Sequence, residues 1–368
     1  MEITPTVRGR NFFKADQNLQ RSLERVAPGS LEAWGDVLTD FGHWVGNEVD
    51  EAAEYTDRFG HPILEVYDRE GETANRIVKN PAWEKVAREV YVRGIVGLNY
   101  TPSPAPFTVT FAMNCLLSQA DLSLACPVTM TASVAYVLDK FAPGPVRDKY
   151  LPELTRMDGA AKSGGTWATE LHGGSDIGAT TTVARPDGDR FRLSGLKWFT
   201  SNADGGIALA TARADPTVEG YKGLGLYVVP THLEDGSLNH YRIRRLKEKL
   251  GTHGVPTAEI DLLDCWADEV APPPNGLRLM MEALENSRIH VMMGASGIQW
   301  RAYLEALSFA THRKAFGKTI TRYPMVQDEL LKMLAGIEAS YAFAFEAGRM
   351  FDAAILDDSA RPWMRLVT

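Results

Sequence analysis

Residues 166–178 read TWATELHGGSDIG, and residues 195–202 read GLKWFTSN. The first stretch joins a Thr-Glu pair to two glycines, a serine and an aspartate. Glycines let the backbone approach a ligand closely, and exposed amides together with a serine hydroxyl can hydrogen-bond an anion. A plain turn rich in small residues is the commoner explanation for such a stretch taken alone.

The second stretch places two aromatic rings and a hydroxyl at the end of a predicted strand. A flat ring system could stack on Trp198 and Phe199 and accept a hydrogen bond from Thr200. An aromatic core plug with a capping threonine is the commoner arrangement. Each stretch alone therefore leaves both a ligand site and a purely structural role open.

The apolar pattern on either side of these stretches predicts the order helices, strands, helices. Up to about Thr155 the chain has a helical period, and Ser30 and Asn80 are predicted to cap two of the helices. From about Ser163 short β-rich segments alternate with turns, and after Pro274 the helical period returns. We therefore predict an α+β multidomain protein.

The three predicted domains are an N-terminal α-helical domain over residues 1–160, a middle β-barrel or sandwich domain over 161–272, and a C-terminal helical-bundle domain over 273–368. We expect the last domain to be truncated. Pro362 and Trp363 resemble the start of another helix, and the chain stops within two turns of them. A single helix hairpin would leave one face with nothing to bury it.

Composition narrows the classes of function. The formal net charge of −8 disfavours a nucleic-acid or anionic-membrane surface. Three widely spaced cysteines are not a disulfide framework, and the eight histidines have no metal-binding spacing. Residues 1–11 lack the apolar core of a signal peptide, and no run of about 18 apolar residues would span a membrane. We expect a soluble, cytoplasmic protein without a metal.

In their order and spacing, the motifs resemble those of the acyl-CoA dehydrogenase family. That family's middle β domain carries a Thr-Glu-x-x-x-Gly-Ser-Asp run followed by a Lys-Trp/Met-Trp-x-Thr run, to which residues 169–176 and 197–200 are similar. Other motifs of the family match elsewhere, at residues 149–152, 247–251 with Thr257, and 313–318. Residues 126–131, residues 245–251 and the extended N-terminus resemble the branch that contains the bacterial adaptive-response flavoprotein.

The resemblance implies an FAD cofactor and a role for each matching residue. Thr169 would contact the pyrimidine end of the flavin, Thr200 its N5 atom, and Trp198 and Phe199 the side of the ring. Donors at those atoms stabilise the reduced flavin. The remaining implied roles belong to Ser175 at the pyrophosphate or the CoA, Arg288 at the substrate, and Arg313 and Phe316 at the FAD of a neighbouring subunit in a homo-oligomer, either a dimer or a tetramer.

The family's reaction removes the α-proton of an acyl-CoA thioester while hydride leaves the β-carbon, so it needs a carboxylate base. The usual aromatic-Glu-Gly segment for that base does not occur here, nor does the family's late Gly-Gly-x-Gly segment. At the family's alternative position, before Arg288, this chain has Ser287, and Glu285 is expected to point elsewhere. We therefore predict no catalytic residue in this chain and expect the base beyond Thr368.

Three functions stay open at this point. The first is an acyl-CoA dehydrogenase or oxidase whose base lies beyond Thr368. The second is an adaptive-response-type flavoprotein without efficient acyl-CoA turnover. The third is a base-less structural partner in a hetero-oligomer. The sequence assigns no electron acceptor and no acyl chain length.

Overall fold

The computed structural model describes residues 6–368, and its elements follow the predicted order. The helices are α1 (Phe12–Ala15), α2 (Gln17–Val26), α3 (Ser30–Trp44), α4 (Asp50–Phe59), α5 (Pro81–Val92), α6 (Phe107–Ser118), α7 (Leu122–Phe141), α8 (Gly144–Thr155), α9 (Gly276–His312), α10 (Pro324–Leu356) and α11 (Arg361–Val367). The strands are β1 (Ile63–Tyr67), β2 (Thr73–Val78), β3 (Ser163–Trp167), β4 (Val183–Asp187), β5 (Arg190–Ser201), β6 (Gly206–Arg213), β7 (Leu224–Pro230), β8 (Tyr241–Leu246), β9 (Thr257–Ala271), β10 (Lys314–Ala315) and β11 (Lys318–Thr319).

One of the two predicted N-caps is confirmed. The Asn80 side chain accepts a hydrogen bond from the Trp83 amide at 2.9 Å, and Pro81 occupies the first turn of α5. The prediction for Ser30 is wrong, because Gly29 caps α3 with a φ of 83° and Ser30 is the first helical residue. A glycine reaches this left-handed conformation without the steric cost that a side chain adds.

The chain folds into two compact units, each assembled from separate segments. We call Met1–Glu54, Leu98–Ala125 and Arg288–Thr368 the helical unit, and Tyr55–Gly97 and Cys126–Ser287 the β unit. The division into three consecutive domains stays a prediction. Its two boundaries fall where helix gives way to strand and strand to helix.

The β unit is built on one seven-stranded sheet in the order β3-β6-β4-β5-β9-β7, with β8 paired to β9. Since β6 also pairs with β7, five of the strands form a closed ring of hydrogen-bonded neighbours. Its core contains large fully buried side chains such as Trp167 and Tyr227. The long antiparallel pair of β5 and β9 brings Ser201 opposite Thr257 and Thr200 opposite Ala258.

Buried polar contacts hold the helical unit together. Asp16 caps α2 by accepting from the Leu19 amide at 2.9 Å, and it also accepts a hydrogen bond from the Tyr341 hydroxyl on α10. Asp50 pairs with Arg301 of α9 at 2.7 Å. The contacts of Asp16 with Tyr341 and of Asp50 with Arg301 join elements that are far apart in sequence, so the unit's fold depends on both early and late segments of the chain.

Among residues 6–368, α7 is the one helix whose length and composition would allow it to cross a membrane. Its most apolar window is 78% buried within the structure, as is usual for the core helix of a globular unit.

Close packing of α9 on α6 depends on Gly297. A Cβ atom added at that position would overlap the backbone carbonyl of Cys115, so α6 would have to shift. We expect Gly297→Ala to lower the free energy of unfolding by about 1–3 kcal/mol in urea titrations. Gly336→Ala on α10, where no atom lies within 4 Å of the added carbon, is the control and should be neutral or stabilising by up to about 1 kcal/mol. Equal stabilities would contradict the close contact.

Candidate functional site

A buried ion pair joins the two motif stretches. Lys197 is fully buried on β5, and its Nζ donates to Glu170 Oε1 at 2.8 Å and to the Thr211 carbonyl at 2.7 Å. Glu170 is 5% exposed. The ammonium group and the carboxylate therefore satisfy each other where water is absent, and such a pair is costly to break from one side.

Glu170 also organises the loop that follows it. Its two oxygens accept from the amides and hydroxyls of both Thr181 and Thr182, at 2.6–3.1 Å. These contacts fix the far end of the segment that contains the two glycines and Ser175. Glu170 of the Thr-Glu motif therefore fixes the conformation of this loop through buried hydrogen bonds.

The protonation state of Glu170 follows from these contacts. Burial alone would raise the pKa of Glu170, but the charge and hydrogen bond of Lys197 and the donors from Thr182 and Thr181 outweigh it and lower the pKa to about 2. The ordinary pKa is 4.5. The Glu170 carboxylate is therefore protonated more readily in the unfolded chain than in the folded chain. The stabilisation that ionised Glu170 gives to the folded chain is complete above about pH 4.5 and is lost as the pH falls towards 2.

Removing the charge of Glu170 tests the pair. We expect Glu170→Gln to lower the free energy of unfolding by about 3–5 kcal/mol at pH 7, because it leaves a buried ammonium without a counter-charge. The variant should also lose less stability than the wild type between pH 4.5 and pH 2. Glu219→Gln, at an exposed position of the same unit, should match the wild type throughout. If the pair were unimportant, urea unfolding would give Glu170→Gln the same free energy of unfolding as the wild type at every pH in this range.

The end of β5 carries an exposed ring in an unusual backbone conformation. Phe199 has a φ of 54° and is 47% exposed. The pairing of β5 with β9 is irregular between Lys197 and Thr200, where β5 has one extra residue. Such a bulge bends the strand and can turn a side chain outwards. Lys247 Nζ lies 3.7 Å from the centre of the Phe199 ring. A non-glycine residue held in this region of φ points to a functional constraint.

The two motifs meet beside this ring. The Trp198 amide donates to the Thr169 carbonyl at 2.8 Å, so Thr169 lies next to the end of β5. Thr169 is half-buried and Ser175 is exposed in the loop beyond it. A pocket of about 280 Å³ opens here, lined by Trp198, Phe199, Arg245, Lys247, Glu248, Ala258 and Glu259.

The hydroxyl available at this strand end belongs to Ser201. Thr200 is fully buried, and its hydroxyl donates to the Ala258 carbonyl at 2.6 Å. Ser201 is half-buried and lies two residues after Phe199. The role of Thr200 at a flavin stays a prediction that this geometry does not support. The two-residue alternation of a strand does not hold across the bulge, so counting along the sequence does not identify Ser201.

The other three predicted site residues lie in the helical unit. Arg288 and Arg313 are exposed. Phe316 is 98% exposed with a φ of 50°, and Gly317 follows with a φ of 81°, so the two form the tight turn between β10 and β11. Such turns favour glycine or asparagine at both positions, and a phenylalanine there is strained.

The β unit also buries two acidic residues on α9 near Ser287. Glu282 is 1% exposed and Glu285 is 7% exposed. The Tyr136 hydroxyl donates to Glu282 at 3.4 Å. Among residues 6–368 no group of three or more His, Cys, Asp or Glu side chains is arranged to hold a metal ion.

Comparison with known proteins assigns these features to one family. The family described as "Adaptive response protein AidB N-terminal domain" matches residues 3–158, "Acyl-CoA dehydrogenase, middle domain" matches residues 165–265, and "Acyl-CoA dehydrogenase, C-terminal domain" matches residues 274–367. The chain belongs to the acyl-CoA dehydrogenase family. Its motifs, its element order and the family matches agree, and the N-terminal match is consistent with the adaptive-response branch.

Individual relatives match nearly the whole chain. Acyl-CoA dehydrogenase family member 11 of Caenorhabditis elegans is 30% identical over 97% of this chain, and the AidB protein of Escherichia coli (strain K12) is 27% identical over 97%. The crystal structure of C. elegans ACDH-11 in complex with C11-CoA superposes with a TM-score of 0.92 over 100% of this chain at 28% identity. The chain spans 61% and 66% of the two relatives' own lengths and 65% of the crystallised chain.

Proposed function

We propose that the protein is a flavin-dependent oxidoreductase that binds FAD at the end of β5 and acts on the CH–CH bond of an acyl-CoA thioester. The observation that carries the proposal is the exposed, left-handed Phe199 with Lys247 over its ring and Ser201 beside it. A flavin ring can be bound by an exposed aromatic ring, a hydroxyl donor and a cation near the edge of the flavin.

The residues present fit this cofactor. Phe199 offers the ring contact, and Ser201 takes the hydroxyl role that the sequence suggested for Thr200. Thr169 lies beside the same strand end, and the loop that Glu170 holds presents Ser175. Bound there, FAD supplies the hydride acceptor for oxidation of the CH–CH bond.

Further roles follow the same proposal. Arg288 is assigned to the acyl-CoA, since an arginine fork suits the phosphate oxygens of CoA, and Ser175 is assigned to the pyrophosphate or the CoA. Arg313 and Phe316 reach the FAD of a neighbouring subunit in a homo-oligomer. The exposure and strain of Phe316 favour that role, because most of the ring faces solvent and its edge-on contact with Tyr323, at 6.5 Å between ring centroids, leaves it 98% exposed. The protein acts in the cytoplasm.

A second candidate is a flavoprotein of the adaptive-response type that holds FAD without efficient acyl-CoA turnover. Two observations favour it: the match of residues 3–158 to the AidB N-terminal domain, and Ser287 in place of a carboxylate before Arg288. The two candidates share the cofactor and differ in whether thioesters reduce it.

A visible absorption spectrum tests both. We expect the purified chain, reconstituted with FAD, to show a flavin band that anaerobic acyl-CoA thioesters of several chain lengths do not bleach, because the position before Arg288 holds Ser287 rather than a carboxylate. Bleaching would place a working base in this chain, with Glu282 and Glu285 as the first residues to replace. Failure to bind FAD would overturn the proposed function.

Paired variants test which hydroxyl contacts the cofactor. We expect Ser201→Ala to raise the dissociation constant of FAD by about tenfold, equivalent to about 1.4 kcal/mol, while Ser201→Thr stays near the wild type. Thr200→Val should lower the thermal stability, because it removes the bond to Ala258, and should leave FAD affinity within about twofold. The reverse pattern, measured by flavin fluorescence titration, would restore Thr200 as the donor.

A further inference from the structure

Behind Ser201 the structure contains a chain of hydrogen bonds that leads away from the proposed cofactor. Ser201 Oγ lies 2.9 Å from Thr257 Oγ1, and Lys249 Nζ donates to Thr257 Oγ1 at 3.1 Å. The same ammonium group donates to the Val255 carbonyl at 2.6 Å. Thr257 is 6% exposed. A cation on the loop after β8 is thus linked to Ser201 through one buried hydroxyl.

The direction of these hydrogen bonds follows from the chemistry of the groups. An ammonium group can only donate, so Thr257 Oγ1 accepts from Lys249. Among residues 6–368 the only acceptor recorded for the Thr257 proton is Ser201 Oγ. When Thr257 donates to Ser201, the Ser201 proton is left to point outwards, where it can donate to a ligand. Chains of hydrogen bonds with one direction also polarise each other.

Several contacts hold the loop that carries Lys249 in place. The His253 ring bonds Asp57 Oδ1 through Nδ1 at 2.6 Å and the Lys249 carbonyl through Nε2 at 2.8 Å. The His253 ring also stacks on His61, with centroids 4.6 Å apart. A pocket of about 230 Å³ is lined by His61, Lys249 and His253 together with Lys247, Val255 and Thr257. The position of the Lys249 ammonium is therefore fixed by contacts at both ends of its loop.

We propose that Lys249 is a positioning residue that acts through Thr257 to orient the Ser201 hydroxyl as a donor and to place a positive charge behind the flavin edge. This inference rests on the proposed FAD site and assigns a function to Lys249 and Thr257, two residues of the 247–251 and Thr257 motif that the proposed function leaves unused. Partial burial of Lys249 strengthens the effect of its charge, since a partly desolvated charge is less screened. A cation near the flavin favours the reduced, anionic cofactor.

A double-mutant cycle separates this role from a structural one. In the full chain loaded with FAD, we expect Thr257→Val to raise the FAD dissociation constant by about tenfold, or about 1.4 kcal/mol, and Thr257→Ser to restore it. In the Ser201→Ala background the same Thr257→Val change should alter the constant by less than about twofold, because the oriented hydroxyl is already gone. Additive effects of the two changes would overturn the proposal.

Lys249→Met provides a second measurement that does not depend on Thr257 variants folding. We expect the flavin midpoint potential to become more negative than in the wild type, while Lys222→Met, at an exposed position of the same unit, leaves it unchanged. An unchanged potential in Lys249→Met would overturn the charge effect. A wild-type chain that binds no FAD would instead contradict the proposed function, so the two failures are distinguishable.

Discussion

The ion pair between Lys197 and Glu170 is the interaction on which the β unit's site depends. It lies where water is absent, and Glu170 extends its influence to the hydroxyls and amides of Thr181 and Thr182. One carboxylate therefore connects β5, β6 through the shared ammonium group, and the loop that presents Ser175. The contacts of Glu170 support the Thr-Glu motif from inside the β unit. The loop can hold Ser175 in one position only when the residues at its base are fixed.

A second constraint is the irregular end of β5. An extra residue in the strand leaves the Phe199 ring exposed and the Ser201 side chain half-buried, while Thr200 between them is buried. The partner strand then supplies Thr257 directly behind that hydroxyl. The bulge in β5 therefore determines which side chains lie outside the core. The neighbouring strand β9 supplies the Thr257 hydroxyl that orients Ser201.

The sequence predicted the order of elements and the family, because these depend on periodicity and on motifs with fixed spacing. It missed what depends on single-residue geometry. A bulge shifts the two-residue alternation, so the Thr200 side chain is buried and Ser201 is half-buried. The helix α3 begins at Ser30 itself, so the capping position falls on Gly29, whose positive φ is readily adopted by glycine. The two units, built from separated segments, also have no counterpart in a linear pattern.

The strained turn at Phe316 and Gly317 raises the question of why position 316 is a phenylalanine. An isolated chain selected only for its own folding would be better served by asparagine or glycine at position 316, which would relieve the backbone and remove an aromatic ring from water. Stability of the single polypeptide therefore does not account for phenylalanine there. The strain and exposure at position 316 are compatible with the proposed role of Phe316 at the FAD of a neighbouring subunit, where the ring would be covered by another molecule.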